Sequence, residues 1–588
     1  MALRVPFLPL IFFTVICIAL VPDKLPLSAQ SLSCRCYPGD QCWPTPEEWE
    51  ALNATLFGNL IPIIPIGSVC HTDNPFTKYN PEACSDLIAH WPIPVTHYNT
   101  PSSPMAAWFT NFSCSPFTAP SAPCTPDPFV RYAANITSAT DVQNVIYFAH
   151  THNIRLVIRN TGHDYLGKST GPGAIALWTH HLKSIAYEAR YESSWYTGPA
   201  LRLGAGVQGF EGQNAAHALG YVIVTGQCPD IGLAGGYSQG GGHGELASRF
   251  GLAADQVLEW EVVTAAGKHL TVSPEQNADL YWALSGGGGG TFAVVLGMTV
   301  RLYPEERTAS GVVEFTSPTG LSDFWAVIRT FLVDTLPLLD ASGTAIWLIF
   351  PDPTISGGLR FIAGPITLPG GEREDLQSYL SSTLESLQNL NMTYYYTIRE
   401  FPSYHSQTAS SPGVNITEYT IGGRLILRST VESNTDALIS ALQSIAQHNT
   451  SISGLSLNVS RPNNKHPSNS VNPIWREAAM NIVIGIPFNY TDRQTDLNSQ
   501  RLMTNVLVPQ LEAPTPPGED GGAYLNEGDF NQPDWQSVFY GVNYDRLLEI
   551  KDTYDPDQVF YGRTAVGSER WIEYEDGRLC RRFDTTSL

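Results

Sequence analysis

The sequence predicts an α+β protein of two domains. Its 588 residues exceed what a single hydrophobic core ordinarily fills. Helical and strand patterns alternate, with glycine-rich turns between them, from about residue 139 to residue 302. After about residue 306 the glycine clusters stop, and longer strands and helices follow. This change of composition predicts a boundary between two domains.

The N-terminus has the pattern of a secretory signal peptide, which we place at residues 1–29. Arg4 precedes an apolar run from Val5 to Val21, and a stretch of small residues ends near Ala29. A membrane anchor is the alternative, although the run is at the short limit for a spanning helix. No later segment reaches about 18 uninterrupted apolar residues. We therefore expect a mature protein without a membrane partner that follows the secretory pathway to the extracellular space or the vacuole.

Residues 30–124 form a Cys-rich N-terminal region with little periodicity. A threonine, a proline and two glutamates suit the first turn of a helix from about Thr45 to Phe57. Of the ten cysteines, Cys17 lies in the signal peptide, and seven of the remaining nine precede residue 125. An odd number in an oxidising compartment leaves one thiol for another purpose. Cys228 stands alone among glycines.

Helices and strands are predicted to alternate in residues 125–305. They are a helix over 139–153, strands over 154–158, 222–225 and 257–264, a helix over 274–284 and a strand over 291–302. Residues 306–515 include a predicted strand over 345–350 and a predicted helix over 375–389. The C-terminal segment 516–588 includes a predicted helix over 544–553.

The net charge and the glycosylation sequons limit which partners are expected for the protein. The formal net charge of −22 argues against nucleic acid and anionic membranes. Eight Asn-X-Ser/Thr sequons occur, which in an exported chain predicts N-glycans. They lie at Asn53, Asn111, Asn135, Asn391, Asn415, Asn449, Asn458 and Asn489.

Three glycine-rich turns carry the strongest functional signal. They run from Arg159 to Gly167, from Gly226 to Gly244 and from Gly286 to Gly290. Turn amides can hold a phosphate without a cation, and glycine lets a backbone approach a flat ligand. None of these three turns has the dinucleotide fingerprint G-x-G-x-x-G placed between a first strand and a helix. The pair His180-His181 lacks further ligands at metal-binding spacing, so no metal site is predicted.

Three motifs and the tail resemble one family. R-N-T-G-H-D-Y-x-G at 159–167, G-x-C-P-D-I-G-x-x-G-G at 226–236 and W-A-L-x-G-G-G-G-G-T-F at 282–292 are similar to the FAD domain of the vanillyl-alcohol-oxidase superfamily. They are closest to its berberine-bridge-enzyme-like branch and to fungal isoamyl-alcohol-oxidase-type FAD-linked oxidoreductases. The tail from Tyr540 to Pro556 is similar to that branch's C-terminal segment. The resemblance is faint between residues 305 and 520.

The resemblance implies a two-domain flavoprotein with an inserted domain. A PCMH-type FAD-binding domain would occupy residues 125–305 and be completed by residues 516–588. The substrate domain, residues 306–515, would be inserted between these two parts.

The resemblance also implies covalently bound FAD. His163 matches the histidine that bonds to the 8α-methyl group of the flavin, and Cys228 matches the cysteine that bonds to flavin C6 in doubly linked members. Eight cysteines then remain for four disulfides. A buried free thiol or a disulfide with Cys580 are the alternatives for Cys228. The other implied cofactor-binding residues are Arg159, Asn160, Thr161, Gly162, Asp164, Gly167, Gly232, Gly235, Gly236, Gly242 and Asn543.

The implied reaction is oxidation of an alcohol group of a small molecule, with hydride transfer to flavin N5. Relatives often carry Y-x-N-Y in the tail, whereas this chain has Tyr524-Leu525-Asn526-Glu527. We therefore expect Glu527 and Tyr524 to be catalytic, with Glu527 as a base whose pKa is raised by an apolar flavin face. Ile231 occupies a position where relatives that react readily with oxygen carry valine. The electron acceptor is therefore left open between O₂ and another oxidant.

Three alternatives to simple alcohol oxidation stay open. A carbohydrate oxidase would need an aromatic-lined groove, which residues 394–396 could supply. An oxidative cyclase of the same superfamily would form a new ring in its product. A non-catalytic glycoprotein would not need His163 and Cys228, which are both present. By resemblance, the expected setting is fungal secondary metabolism.

Overall fold

The computed structural model describes residues 34–317, 321–410, 415–416, 418–460, 466–516 and 519–582. The predicted signal peptide therefore lies outside the described residues. The strands are β1 (Leu60–Pro62), β2 (Tyr132–Asn135), β3 (Leu156–Arg159), β4 (Ile175–Trp178), β5 (Ile185–Glu192), β6 (Thr197–Gly204), β7 (Tyr221–Val222), β8 (Val257–Thr264), β9 (His269–Val272), β10 (Ala293–Arg301), β11 (Tyr303–Pro304), β12 (Thr308–Thr316), β13 (Thr344–Pro351), β14 (Leu359–Pro369), β15 (Tyr394–Phe401), β16 (Tyr419–Leu427), β17 (Ser451–Ser456), β18 (Ala478–Pro487), β19 (Trp571–Glu573) and β20 (Leu579–Arg581).

The helices are α1 (Pro46–Thr55), α2 (Pro81–His90), α3 (Val95–Tyr98), α4 (Ala139–Thr151), α5 (Gly209–Ala218), α6 (Ala247–Phe250), α7 (Ala278–Leu284), α8 (Leu321–Asp340), α9 (Arg373–Tyr379), α10 (Ser381–Asn389), α11 (Tyr404–Thr408), α12 (Arg428–Ser433), α13 (Thr435–Ala446), α14 (Arg493–Leu502), α15 (Val508–Glu512), α16 (Trp535–Tyr540) and α17 (Tyr544–Tyr554). Within the described part of the chain, no helix is both long and apolar enough to cross a bilayer.

Two sheets form the first half of the molecule. One has the order β1-β2-β4-β3, with parallel pairing among its last three strands. The other is antiparallel, with the order β5-β6-β10-β8-β9. Helix α4 begins at the capping box of Ser138 and Asp141 and buries Val142, Val145 and Ile146. These residues pack in one core with strands of both sheets, so α4 fixes the position of one sheet against the other.

A seven-stranded antiparallel sheet, in the order β15-β12-β14-β13-β17-β18-β16, forms the second half. It lies within the predicted substrate domain, whose boundaries stay a prediction. Side chains alternate between the faces of a strand, and in β18 Met480 and Ile482 enter the core shared with helices α8 and α13. Asn481 between them therefore lies on the opposite face, together with its cross-strand partners Leu425 and Leu455. That second face packs against the first half.

The C-terminal tail returns to the first half. Phe560 forms a parallel bridge with Leu156 at the start of β3. The buried Lys551 ammonium donates hydrogen bonds to the carbonyl oxygens of Thr291 (2.7 Å) and Phe560 (2.9 Å) and to Asp555 Oδ2 (2.6 Å). All three ammonium protons are thus used, and the tail is joined to the end of the third glycine turn.

Four disulfides fasten the N-terminal region, as the cysteine count predicts. Three are local pairs: Cys36–Cys42, Cys70–Cys84 and Cys114–Cys124. The fourth joins Cys34 to Cys580 across 546 residues of sequence and so ties the first described residue to the last strand. A cross-link that closes so long a loop removes much conformational freedom from the unfolded chain.

Most predicted elements are present, with three differences. The predicted helix over 375–389 is two helices, α9 and α10, which meet at Leu380. The strand predicted over 222–225 is limited to the two-residue β7, because the chain then enters the second glycine turn. The helix predicted over 274–284 begins at Ala278. The residues before it form a turn, because Ser273 Oγ accepts hydrogen bonds from the backbone amides of Glu275 and Gln276.

A buried carboxyl joins the second glycine turn to the large sheet and makes stability depend on pH. Glu245 Oε2 accepts hydrogen bonds from Thr367 Oγ1 and Gln407 Nε2, both at 2.7 Å. Burial raises the pKa of Glu245 to about 7, although these hydrogen bonds oppose the rise. The folded protein therefore binds a proton that the unfolded chain, with a glutamate pKa of about 4.3, has already lost.

We expect the folded state to lose stability as the pH rises from about 4.5 to about 7, because the unfolded chain ionises at Glu245 over this range while the folded protein keeps the carboxyl protonated. Glu245→Gln cannot ionise, so the thermal midpoint of this variant should fall less between pH 5 and pH 8. The measurement is thermal unfolding across this range, with the exposed Glu47→Gln as the control. Equal pH profiles for wild type and Glu245→Gln would contradict the prediction.

Candidate functional site

The three glycine-rich turns and the C-terminal tail surround one large cavity. It has about 1460 Å³ of empty volume, including the part that is open to solvent. The first turn lines it between Asn160 and Ser169, the second between Gly226 and His243, and the third at Gly289 and Gly290. The tail supplies two further wall segments, 524–527 and 560–562. Turns that are far apart in sequence are thus brought to one site.

His163 lines this cavity from the turn that follows β3. Asp164 shapes the turn, since Oδ1 accepts a hydrogen bond from Leu166 N (3.0 Å) and Oδ2 one from Ser169 N (2.7 Å). The Nε2 atom of His163 is buried and has no hydrogen-bond partner among the described residues. Burial, and after it the nearby His97, lowers the pKa of His163 to about 4. Its ring is therefore neutral near pH 7 and keeps one nucleophilic nitrogen.

Cys228 is the free cysteine of the described residues and also lines the cavity. The alternative of a disulfide with Cys580 is wrong, because Cys580 is bonded to Cys34. Burial raises the pKa of the Cys228 thiol to about 12, with further contributions from the negative charges of Glu527 and Asp230. The thiol therefore stays protonated in this environment.

Glycine allows the turns to approach one another closely around Asn160. Its Nδ2 donates to Thr179 Oγ1 (3.0 Å) and to the Ala205 carbonyl (2.6 Å), whereas its buried Oδ1 has no partner in the described structure. A Cβ atom on Gly232 would lie 1.9 Å from that Oδ1. A Cβ on Gly289 would lie 2.7 Å from Gly236 Cα. The cavity floor is therefore backbone, which a flat ligand can approach.

Glu527 has one oxygen held by the protein and one left open. Oε2 accepts hydrogen bonds from His243 Nε2 (3.0 Å) and Asn481 Nδ2 (2.6 Å). Oε1 makes no hydrogen bond with a described residue, and the side chain is 22% exposed. The ring of Tyr524 packs edge-on against His243, and its hydroxyl accepts a hydrogen bond from Asn526 Nδ2 (2.7 Å). Such a carboxylate can accept a proton from a ligand in the cavity.

The prediction that the pKa of Glu527 is raised is wrong. Burial does raise it, but the charge of His243 and the hydrogen bonds from His243 and Asn481 outweigh burial, and the pKa lies below its ordinary value. Glu527 is therefore ionised at mildly acidic and neutral pH. Burial, and then the charge of Glu527, raises the pKa of Tyr524, so its phenol keeps its proton.

Comparison with known proteins identifies the family. The FAD binding domain model matches residues 130–273, and the model of berberine and berberine-like proteins matches residues 523–567. The FAD-linked oxidoreductase sor8 of Hypocrea jecorina is 46% identical over 560 residues, which cover 95% of this chain and 95% of that protein. The crystal structure of the VAO-type flavoprotein MtVAO615 from Myceliophthora thermophila superposes with a TM-score of 0.87 at 40% identity, over 94% of this chain and 100% of that chain.

This chain belongs to the VAO-type, berberine-bridge-like FAD-linked oxidoreductases.

The α+β fold of a two-domain flavoprotein is thereby confirmed. A more distant structure is the glucooligosaccharide oxidase of Acremonium strictum, whose FAD is 6-S-cysteinyl and 8α-N1-histidyl. It superposes with a TM-score of 0.59 at 17% identity, over 75% of this oxidoreductase and 92% of that chain, and shows the fold alone.

The cavity of the oxidoreductase fits FAD. Its backbone floor suits a flat ring, and the buried polar atoms His163 Nε2, Asn160 Oδ1 and Gln239 Oε1 lack protein partners among the described residues. Buried polar atoms are rarely left without hydrogen bonds, so a polar ligand is expected beside them. Asn160, Thr161, Gly162, His163, Asp164, Cys228, Gly232, Gly235 and Gly236 all line the cavity, as the sequence predicts.

Two predicted cofactor-binding side chains point elsewhere. The buried Arg159 donates from Nη2 to the carbonyl oxygens of His97 (3.2 Å) and Thr100 (3.0 Å), and so braces the first turn against the N-terminal region. Asn543 donates from Nδ2 to the carbonyl oxygens of Ser470 and Val471, both at 3.2 Å. Neither residue lines the cavity.

Gly167 and Gly242 also lie off the cavity wall. Both have positive φ angles, 78° and 74°. A Cβ on Gly167 would lie 2.5 Å from the ring of Phe109, and one on Gly242 would lie 2.7 Å from Ala253 Cβ. In the oxidoreductase these two glycines are required for the backbone conformation of the turns and for close packing. The prediction that they contact the cofactor is therefore not supported by their positions.

Sequence reasoning missed Asn481 and Lys168 and left His243 undecided. Asn481 is a polar residue inside an apolar strand, and that signal could have identified it. Lys168 lines the cavity and is the lysine of a G-x-x-x-x-G-K-S sequence at 162–169, a signal that could have identified it. His243 lines the cavity and bonds to Glu527, a contact 284 positions away in the chain.

The glycine floor generates a paired prediction. A Cβ on Gly236 meets no protein atom within 4 Å and Gly236 lines the cavity, so Gly236→Ala should fold normally but hold less FAD. Gly232→Ala places its Cβ against Asn160 Oδ1 and should destabilise the fold by about 1–3 kcal/mol. Flavin absorbance per protein and the thermal midpoint measure the two effects. Full FAD content in Gly236→Ala would contradict a ligand at this floor.

Proposed function

We propose that this oxidoreductase carries FAD bonded to His163 and Cys228 and oxidises an alcohol group of a small organic substrate. The observation that carries the proposal is the difference between the two carboxylate oxygens of Glu527. Oε2 accepts hydrogen bonds from two side chains, whereas Oε1 has no such partner among the described residues and can accept a proton from a ligand. Cys228 lies close enough to Glu527 for that charge to affect its pKa. The reacting end of the cavity would therefore contain the thiol and the carboxylate together.

The covalent attachment is supported by the state of the two side chains. The ring of His163 is neutral near pH 7, so one nitrogen can form a bond to a carbon electrophile. Cys228 takes part in no disulfide, whereas every other cysteine of the described residues does. The 6-S-cysteinyl and 8α-N1-histidyl bonds of the glucooligosaccharide oxidase provide a precedent for this pair of links on the same fold.

FAD, when bound, supplies the two-electron acceptor that takes a hydride at N5. The chain must then remove the hydroxyl proton of the substrate, and Glu527 Oε1 is placed to accept it. His243 and Asn481 keep the carboxylate ionised and fix its orientation. The ring of Tyr524 packs against His243, and its phenol keeps its proton because the pKa of Tyr524 is raised. Holding a base in one orientation is what general base catalysis requires.

The electron acceptor and the pathway stay predictions. Ile231 lines the cavity near Cys228, where a bulky side chain would restrict oxygen. Rapid reoxidation of the reduced protein by air would identify O₂ as the acceptor. Identification of the natural substrate would test the proposed setting in fungal secondary metabolism.

We also propose secretion with N-glycans. Four disulfides in the described residues suit an oxidising compartment. The sequon asparagines Asn111, Asn391, Asn415 and Asn449 are exposed. These four are the preferred glycan sites, since the side chains of Asn135 and Asn458 are engaged in hydrogen bonds with His181 and Asp340.

The covalent proposal predicts where the flavin goes on acid precipitation. The wild-type pellet should stay yellow, and mass spectrometry should find flavin on peptides that contain His163 and Cys228. His163→Ala and Cys228→Ala should each keep one link, and the double variant should release FAD into the supernatant. Release of FAD from the wild type would refute both bonds.

The base proposal predicts that Glu527→Gln keeps its FAD but loses about 10²–10⁴-fold in kcat/KM for an alcohol substrate. The exposed Glu47→Gln is the matched control. Because the pKa of Glu527 lies below its ordinary value of 4.5, the acid limb of kcat/KM should lie below that pH. Asn481→Leu removes one donor and should move this limb to higher pH. Unchanged turnover in Glu527→Gln would exclude this residue as the base.

A further inference from the structure

Lys168 is a partly buried cation on the cavity wall for which the described protein provides no partner. It lies in the same turn as His163 and is the single lysine or arginine among the described residues that line the cavity. Its ammonium makes no ion pair or hydrogen bond with a described residue. A cation that has lost part of its hydration is stabilised by an anionic partner, and the described residues supply none here.

The turn is built to present this side chain. Both carboxylate oxygens of Asp164, the nearest negative charge, already accept hydrogen bonds from the amides of Leu166 and Ser169. The tail supports the other side, where a Cβ on Gly562 would lie 3.2 Å from Lys168 Cγ. Burial, offset in part by Asp164, lowers the pKa of Lys168 to about 8, which agrees with a cation that lacks its partner.

Lys168 and Glu527 act on different parts of the cavity. After burial, the charge of Glu527 is the next cause of the raised pKa values of Cys228 and Tyr524. The charged group that affects the pKa of Lys168 is Asp164. Glu527 contacts His243 and Asn481, whereas Lys168 packs beside Gly562 of the tail, so the two side chains have different neighbours in the cavity wall.

We propose that the Lys168 ammonium binds the diphosphate of FAD. The diphosphate is the strongly anionic part of this cofactor, and an ammonium on the cavity wall without a partner among the described residues is its complement. The placement rests on the proposed function, which assigns the flavin ring to the end with Glu527 and Cys228. Lys168 is then a positioning residue that supplies charge-assisted hydrogen bonds beyond those of the turn amides.

The test compares FAD with riboflavin, which has the same ring and no phosphate. Titrations use the full chain with His163→Ala and Cys228→Ala, so that binding is reversible. Adding Lys168→Met should raise the Kd of FAD about 10- to 100-fold and change that of riboflavin less than about twofold, while Lys168→Arg should retain most of the FAD affinity. In the otherwise native chain, Lys168→Met should lower the flavin content per polypeptide, and Lys168→Arg should restore it.

Other outcomes overturn the proposal. Equal losses for FAD and riboflavin would indicate a structural role of Lys168. A shifted midpoint potential of the flavin with unchanged FAD affinity would place the ammonium at the flavin ring. If the wild type releases FAD in acid, the covalent proposal fails by itself, and the same titrations on the wild-type chain still decide the role of Lys168.

Discussion

The buried ion pair of Lys551 and Asp555 is the contact on which the cavity depends. Its ammonium joins the tail to the carbonyl of Thr291, directly after the third glycine turn, and to the carbonyl of Phe560 in the cavity wall. Both side chains are almost fully removed from solvent, 2% and 0% exposed. Because every donor is satisfied, the pair avoids the cost of an uncompensated buried charge and allows one geometry of attachment. The wall segments 524–527 and 560–562 belong to the tail that this pair anchors.

The large sheet contributes to the site through the alternation of its strands. One face carries the apolar core under helices α8 and α13, and the other meets the first half of the molecule. Asn481 is on this second face, so it reaches Glu527 although its neighbours Met480 and Ile482 are core residues. The sheet thus forms the second half of the molecule and also supplies one hydrogen-bond donor, Asn481, to the carboxylate of Glu527. A shift of one residue in the register of β18 would remove that donor.

The electrostatics of the cavity differ between its two ends. Glu527 is held ionised by His243 and Asn481, whereas Lys168 is a cation with no close partner among the described side chains. The wall of the same cavity also contains a neutral imidazole at His163 and a protonated thiol at Cys228. Proton removal suits the first end, and anion binding suits the second. A cofactor with a flat ring at one end and a diphosphate at the other matches this order.

The family and the FAD cofactor were recognisable in the sequence through the resemblance of its glycine-rich motifs, and many local elements through its periodicity. The motifs around His163 and Cys228 carry this resemblance, and helix starts are recognisable because capping depends on neighbouring residues. The sequence also predicted α4 and β8 closely, since their apolar residues follow a clear period.

Contacts between distant segments decide which motif residues line the cavity and whether Glu527 is ionised. Arg159 and Gly242 belong to the motifs but contact other parts of the protein, whereas Lys168 faces the site. Burial alone would have raised the pKa of Glu527, and the donors that reverse this effect come from positions 46 and 284 residues away. A pKa reflects every charge and donor around a group in space, so it follows from the packing of distant segments and not from the adjacent sequence.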